Sequence, residues 1–262
     1  MVLLICCGIA FAACLLGTVC GMGGGIIIKP VLDAIGVLPV PAITFLSGCT
    51  VISMSCWSVG RTLLRREAAL DLPVTAVLAA GAAAGGLIGK QLYTGIAARF
   101  PDPNTAGGVQ AGLLLAATAA TLLYTVNKDK IASREVAAPA ARLVIGLLLG
   151  MLGSFLGIGG GPFNVAVLYY FFSMPAKKAA QNSLFIVLFS QLTSTLRTVL
   201  FDSVPPFPWA ILLGMVLLSI AGSEAGRRIN KTIDNRQATL WLEGAMVLVM
   251  GISIYNIIKF LG

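Results

Sequence analysis

The stretch GTVCGMGGGIII, residues 17–28, interrupts an apolar run that would otherwise continue as one membrane helix, and GSFLGIGGGPFN, residues 153–164, does the same 136 residues later. Gly17, Gly21, Gly23, Gly24 and Gly25 fall on Gly153, Gly157, Gly159, Gly160 and Gly161 at that offset. Ser47 then meets Ser183, Arg61 meets Arg197 and Thr62 meets Thr198; one residue further out of step, Gly85 and Gly89 meet Gly222 and Gly226. Glycine matches alone carry little weight in a chain with 30 of them. The coincident Arg-Thr pair makes an internal duplication the better account.

Hydrophobic residues make up 58% of the 262 and charged residues only 11%, where a soluble domain carries about a quarter. The charges sit in short clusters between apolar runs at about 2–36, 41–64, 72–95, 108–126, 140–173, 178–201, 207–226 and 239–260. Runs of this length cross a bilayer core of about 30 Å. The reading is an all-α polytopic membrane protein, with residues 1–127 as one membrane repeat, 128–138 as a connection and 139–262 as the second repeat. The apolar start lacks a basic leader and reads as structure rather than a cleaved signal.

Runs 2–36 and 140–173 are too long for one crossing, since about 35 residues of helix would reach over 50 Å. Each is expected to break at its glycines. Two topologies follow. If all eight runs cross once, the cationic connections 64–71 (Arg65, Arg66) and 227–236 (Arg227, Arg228, Lys231, Arg236) lie on opposite sides, against the positive-inside rule. If 2–36 and 140–173 each enter and return on one side, the repeats become inverted and every cationic cluster reaches the cytoplasm. Inverted repeats with broken helices are a recurrent transporter design. Lys29 and Lys259 fit this pattern poorly.

Glycine-rich breaks leave backbone N–H groups free at membrane depth, and a restarting helix adds the positive end of its dipole. Pro162 suits the first turn of such a helix. Two tips of this kind would cradle a small anion, with Gly21, Gly23, Gly24, Gly25, Gly157, Gly159, Gly160 and Gly161 as the cradle. Ser47, Asn182, Ser183 and Gln191 supply neutral hydrogen bonds beside it. The competing reading is close helix packing, preferred for Gly81, Gly85, Gly89, Gly146 and Gly150. Arg61 and Arg197 read either as an anion-attracting vestibule or as snorkelling side chains. Glu224 is a candidate for proton coupling or a neutralised helix end.

The chain has no histidine, and its six cysteines lie in apolar runs without a CxxC pair. Neither a rhomboid-like protease nor a metalloenzyme is expected, nor a cofactor, and the absence of a P-loop GK[ST] ending argues against nucleotide use. The net charge of +8 flanks apolar runs rather than forming a stripe, so nucleic acid is not an expected partner.

The paired segments GTVCGMGGGIIIKPVL and GSFLGIGGGPFNVAVL, followed by KAAQNSL at 178–184, resemble the sulfite exporter TauE/SafE family over about residues 8–260. That resemblance implies a carrier of sulfite, sulfonates or other small organic anions. Where family members often carry a small-Gly-Thr-Ser run, this chain reads FLSGCT (45–50) and AQNSLF (180–185), which points to a different anion. The expected partners are a small anion, the bilayer and a coupling proton or other ion, in a bacterial inner membrane. An anion channel or a non-transporting scaffold is the alternative.

Overall fold

The computed structural model describes residues 1–65, 67, 69–100, 103–202 and 204–261; Arg66 lies outside them. Among the described residues the chain is all-helical. In order these are α1 (Val2–Cys20), α2 (Gly25–Ile35), α3 (Val40–Leu64), α4 (Leu72–Ala97), α5 (Pro103–Asn127), a 3-10 turn at Lys128–Lys130, α6 (Pro139–Phe155), α7 (Pro162–Phe172), α8 (Ala176–Phe201), α9 (Trp209–Thr232) and α10 (Asn235–Leu261). Seven of them are long and apolar enough to cross a membrane: α1, α3, α4, α5, α8, α9 and α10. This is a multi-pass membrane protein.

Both long runs are broken at their glycines. Gly21 and Gly23 take φ of +74° and +73°, and Gly157 and Gly159 take +70° and +74°, a region that a Cβ disfavours. α2 and α7, the helices that restart, have 11 residues each, a length of about 16 Å and so half of a bilayer core. Gly36 and Ser173, both left-handed, end them. α9 and α10 extend beyond the expected apolar limits, because their polar ends are paired: buried Arg227 bonds to Thr62 and Glu67, and Asn235 accepts from the Lys177 N–H.

Packing crosses between the two halves of the chain. α4 lies parallel to α6: a Cβ at Gly81, Gly85 or Gly89 would come within 2.0–2.2 Å of the carbonyl oxygens of Leu143, Leu147 and Met151. α1 lies parallel to α9, with Gly222 and Gly226 against the carbonyls of Phe11 and Leu15. Only glycine permits backbones this close. α3 and α8 run antiparallel through the middle, joining Gly48 to Thr195 and Gln191, and Thr62 to Gln181. α5 and α10 are also antiparallel, with Gly107 against Phe260 and Lys128 on Thr239.

One end of the bundle collects the cations. Lys178 pairs with Asp71 at 2.8 Å, Lys231 and Arg227 with Glu67 at 2.7 and 3.2 Å, and Lys177 bonds to the carbonyl of Ile233. The 128–138 connection reaches the same end, where the N–H groups of Arg134 and Val136 donate to Tyr170 and Phe171 at the close of α7. At the opposite end Lys259 caps the last turn of α2 through the carbonyls of Asp33 and Ala34. Lys29, apolar-flanked in the sequence, is buried and paired with Asp33 at 2.7 Å.

Candidate functional site

The two glycine breaks meet in the interior of the bundle. A Cβ at Gly25 would lie 2.5 Å from the carbonyl oxygen of Ile158, so the tips touch through backbone. Gly24 and Gly161 precede the restarting helices, and neither helix start receives a side-chain cap. The Gly24 N–H has only the Met54 thioether sulfur, at 3.1 Å, a weak acceptor. The first turns of α2 and α7 therefore bring uncapped donors and two positive dipole ends into one buried region.

α3 and α8 flank the tips with matching stripes. On α8, Ala180 touches Gly21, Val187 faces Gly23 and Gly160, and Gln191 packs on Gly159. On α3, Thr44 reaches Gly157, and Val51 faces Gly23 and Gly25. Helical spacing of three and four residues puts Ser183 between Ala180 and Val187, and Ser47 between Thr44 and Val51, on those same faces. Ser47 and Ser183 are fully buried and their hydroxyls have no protein partner. Ser55, one turn beyond Val51, is equally buried and unpartnered. Sequence reading missed Ser55, although the 136-residue offset pairs it with Gln191.

The remaining expected residues are placed as follows. Asn182 bonds to the Asp71 N–H, the Thr75 hydroxyl and the carbonyls of Ala69 and Lys178, and so ties the start of α4 to α8. Arg61, near the cationic end, lies 3.7 Å from Glu224 and stacks over Trp57. Glu224 also accepts from Trp57 at 3.0 Å and Arg228 at 3.4 Å. Arg197 sits at the corresponding place near the other end of α8. The tips lie between these two arginines.

Two cavities lie toward opposite ends of the bundle. The one at the cationic end, of about 320 Å³, is lined by Lys177, Lys178, Arg227, Lys231, Glu67 and Gln181, among others. Burial alone would raise the Glu67 carboxyl, but Lys231 and Arg227 overcome it and hold the group below the ordinary carboxylate range. The other cavity, of about 470 Å³, is lined by Lys90, Tyr93, Thr44, Phe45, Thr198 and Asp202, among others. Lys90 and Arg227 were not singled out as site residues from sequence, yet the 137-residue offset that pairs Gly89 with Gly226 also pairs these two cations. The first lining is rich in cations, while the second sets Lys90 beside Asp202.

Comparison with known proteins places the chain among membrane transporters. A family model described as sulfite exporter TauE/SafE matches residues 6–254. The probable membrane transporter protein YunE of Bacillus subtilis (strain 168) is 26% identical over 107 residues, which are 41% of this chain and 38% of that protein. The aligned segment is thus well under half of the curated relative. No solved structure matches. With seven helices able to cross a membrane and a family match over nearly its whole length, the chain belongs to the sulfite exporter TauE/SafE family of membrane transporters.

Proposed function

We propose that this protein is a secondary carrier of small sulfur-containing or organic oxyanions, such as sulfite or an organosulfonate, in a bacterial inner membrane. The observation that carries the reading is the meeting of two uncapped half-helix starts, at Gly24 and Gly161, between buried, unpartnered hydroxyls of Ser47 and Ser55 on α3 and Ser183 on α8. Half-helix N-termini aimed at an anion near the midplane are the recurrent solution in such carriers. The oxyanion accepts N–H bonds from Gly23–Gly25, Gly160 and Gly161 and hydroxyl bonds from Ser47, Ser55 and Ser183, with Gln191 beside them; the Gly159 N–H is held by the Gly153 carbonyl and shapes the break instead. Asn182 holds α4 to α8 behind this region.

The same reading assigns two inverted repeats, 1–127 and 139–262. Each begins with a hairpin that enters and returns on one side and continues with three crossings. The crossed pairing of α1 with α9 and of α6 with α4, the approach of the 128–138 connection to the end of α7, and the gathering of the cationic connections at one end all support it. That end faces the cytoplasm by the positive-inside rule. Touching tips separate the two cavities, and rocking of one repeat against the other opens the path to one side at a time.

Tracer sulfite uptake into proteoliposomes of the purified protein, with unlabelled sulfonates, sulfate and acetate as competitors, tests the assignment. Saturable uptake that a sulfonate suppresses and that Gly24→Leu and Gly160→Leu abolish is the expected result. Absence of uptake for any of these anions under every imposed gradient would overturn it.

A further inference from the structure

Residues from both halves of the chain enclose a second polar site that the anion path leaves unused. α2, α5 and α10 enclose a cavity of about 10 Å³ lined by Lys29, Asp33, Gln110, Ser253 and Asn256 together with apolar neighbours. Space of this order admits about one particle of water size. Asp33 is 5% exposed, Gln110 3%, Ser253 0% and Asn256 2%. In each, one oxygen has no hydrogen-bond partner: Asp33 Oδ1, Gln110 Oε1, Ser253 Oγ and Asn256 Oδ1.

The orientations of these groups are held from behind. Gln110 Nε2 donates to the Phe155 carbonyl at 2.7 Å and Asn256 Nδ2 to the Pro30 carbonyl at 2.9 Å, which leaves the amide oxygens as the free atoms. Lys29 donates to Asp33 Oδ2 at 2.7 Å, which leaves Oδ1. Lys259 is engaged with the backbone oxygens of Asp33 and Ala34. Orphaned buried acceptors are costly; a water would give its two protons to two of them and the Ser253 hydroxyl its own to a third, each oxygen met singly. Hard cations, by contrast, take oxygen ligands. Lys29 already balances the Asp33 carboxylate, so the cage starts without net charge and has room for one added positive charge at most, not two.

Position adds to the chemistry. Asp33 lies in the last turn of α2, the negative end of a half-helix, where transporters hold coupling cations, while the positive end faces the anion tips. The Lys29 stem passes the second break, its Cε 3.1 Å from where a Gly157 Cβ would stand, so the cage and the tips are neighbours. The arrangement has no counterpart in the other half. At the 136-residue offset, Lys29 and Asp33 become Val165 and Tyr169, so the fold itself does not demand it.

We propose that Asp33 Oδ1, Gln110 Oε1, Ser253 Oγ and Asn256 Oδ1 bind one monovalent cation of sodium size. Its role as the coupling ion rests on the carrier reading; its binding does not. A cation held there attracts the anion at the adjacent tips, and the anion attracts the cation, so each raises the other's affinity.

The test is thermal unfolding of the purified full chain in sodium, lithium, potassium or choline chloride at fixed ionic strength. A saturable rise with sodium is expected, about 5 °C at a hundredfold excess over Kd, with none in choline. Ser253→Ala should weaken the sodium response ~10-fold while melting as the parent does in choline. Lys29→Met removes the neighbouring charge and should tighten it ~10-fold, an effect that a purely structural lysine would not produce. Equal melting in all four salts, or melting that follows pH and ignores sodium, would overturn the cage. Sodium binding without anion uptake would keep the cage and sink the carrier; uptake without sodium binding would do the reverse.

Discussion

Gly25→Ala isolates the contact between the two tips. Gly25 has no left-handed φ, so the substitution adds no backbone strain; its cost comes from the added methyl alone. That carbon would stand 2.5 Å from the Ile158 carbonyl oxygen and 2.9 Å from the Val51 side chain, while ordinary contact begins at 3.4 Å. The tips must therefore part by about 0.9 Å to admit it. Backbone cannot swing aside as a flexible side chain can, and overpacking of this kind costs about 1–3 kcal/mol. If transport passes through a state with the tips in contact, that state loses about 5- to 150-fold in population. Maximal uptake in proteoliposomes should fall within that range while the protein still purifies as a single folded species. Gly60→Ala, at a helical glycine with nothing within 4 Å of the added carbon, is the control and should transport normally. Uptake by Gly25→Ala equal to the parent in both maximal rate and KM would refute the role of tip contact.

Ser47→Ala and Ser183→Ala remove hydroxyls that have no protein partner, so melting should stay within about 0.5 kcal/mol of the parent. The KM for anion uptake should nevertheless rise ~10-fold or more, the worth of a hydrogen bond to a charged group. Asn182→Leu strips four partners from the junction of α4 and α8; a loss of about 1–3 kcal/mol is expected in thermal unfolding, small per bond because membrane hydrogen bonds are individually weak. Glu67 has a lowered folded-state pKa, so its pairing stabilises the protein above the unfolded carboxylate pKa and that contribution is lost as pH falls through the folded value. Glu67→Gln should flatten the decline of melting temperature below about pH 4.5; an unchanged acid limb would refute it. Single cysteines in the 96–107 and 227–236 loops should label from opposite sides of the membrane, and labelling from one side would sink the inverted arrangement.

The membrane class, the two interrupted runs and the residues at their breaks were legible in the chain itself. Apolar length is a one-dimensional quantity, and three consecutive glycines mark where a helix stops with or without neighbours. Gly85 and Gly89 were readable as packing glycines for the same reason, since small residues four apart lie on one face of a helix. Sequence order could not reveal that they pack against Leu147 and Met151 of the other half. Ser55 was indistinguishable from its neighbouring serines until Val51 and Val187 were seen to face the tips, because burial and the absence of a partner are properties of the assembled helices. Arg227 likewise looked like an ordinary flanking charge, and Lys90, inside the 72–95 run, drew no reading at all; only folding set them in the linings of the two cavities. The cage around Asp33 draws on residues 33, 110, 253 and 256. Composition and periodicity determined which segments enter the membrane and where they break. The meeting of those breaks, and the gathering of four buried polar residues from three distant helices around one cavity, was decided by tertiary packing, because hydrogen-bond satisfaction depends on distance in space.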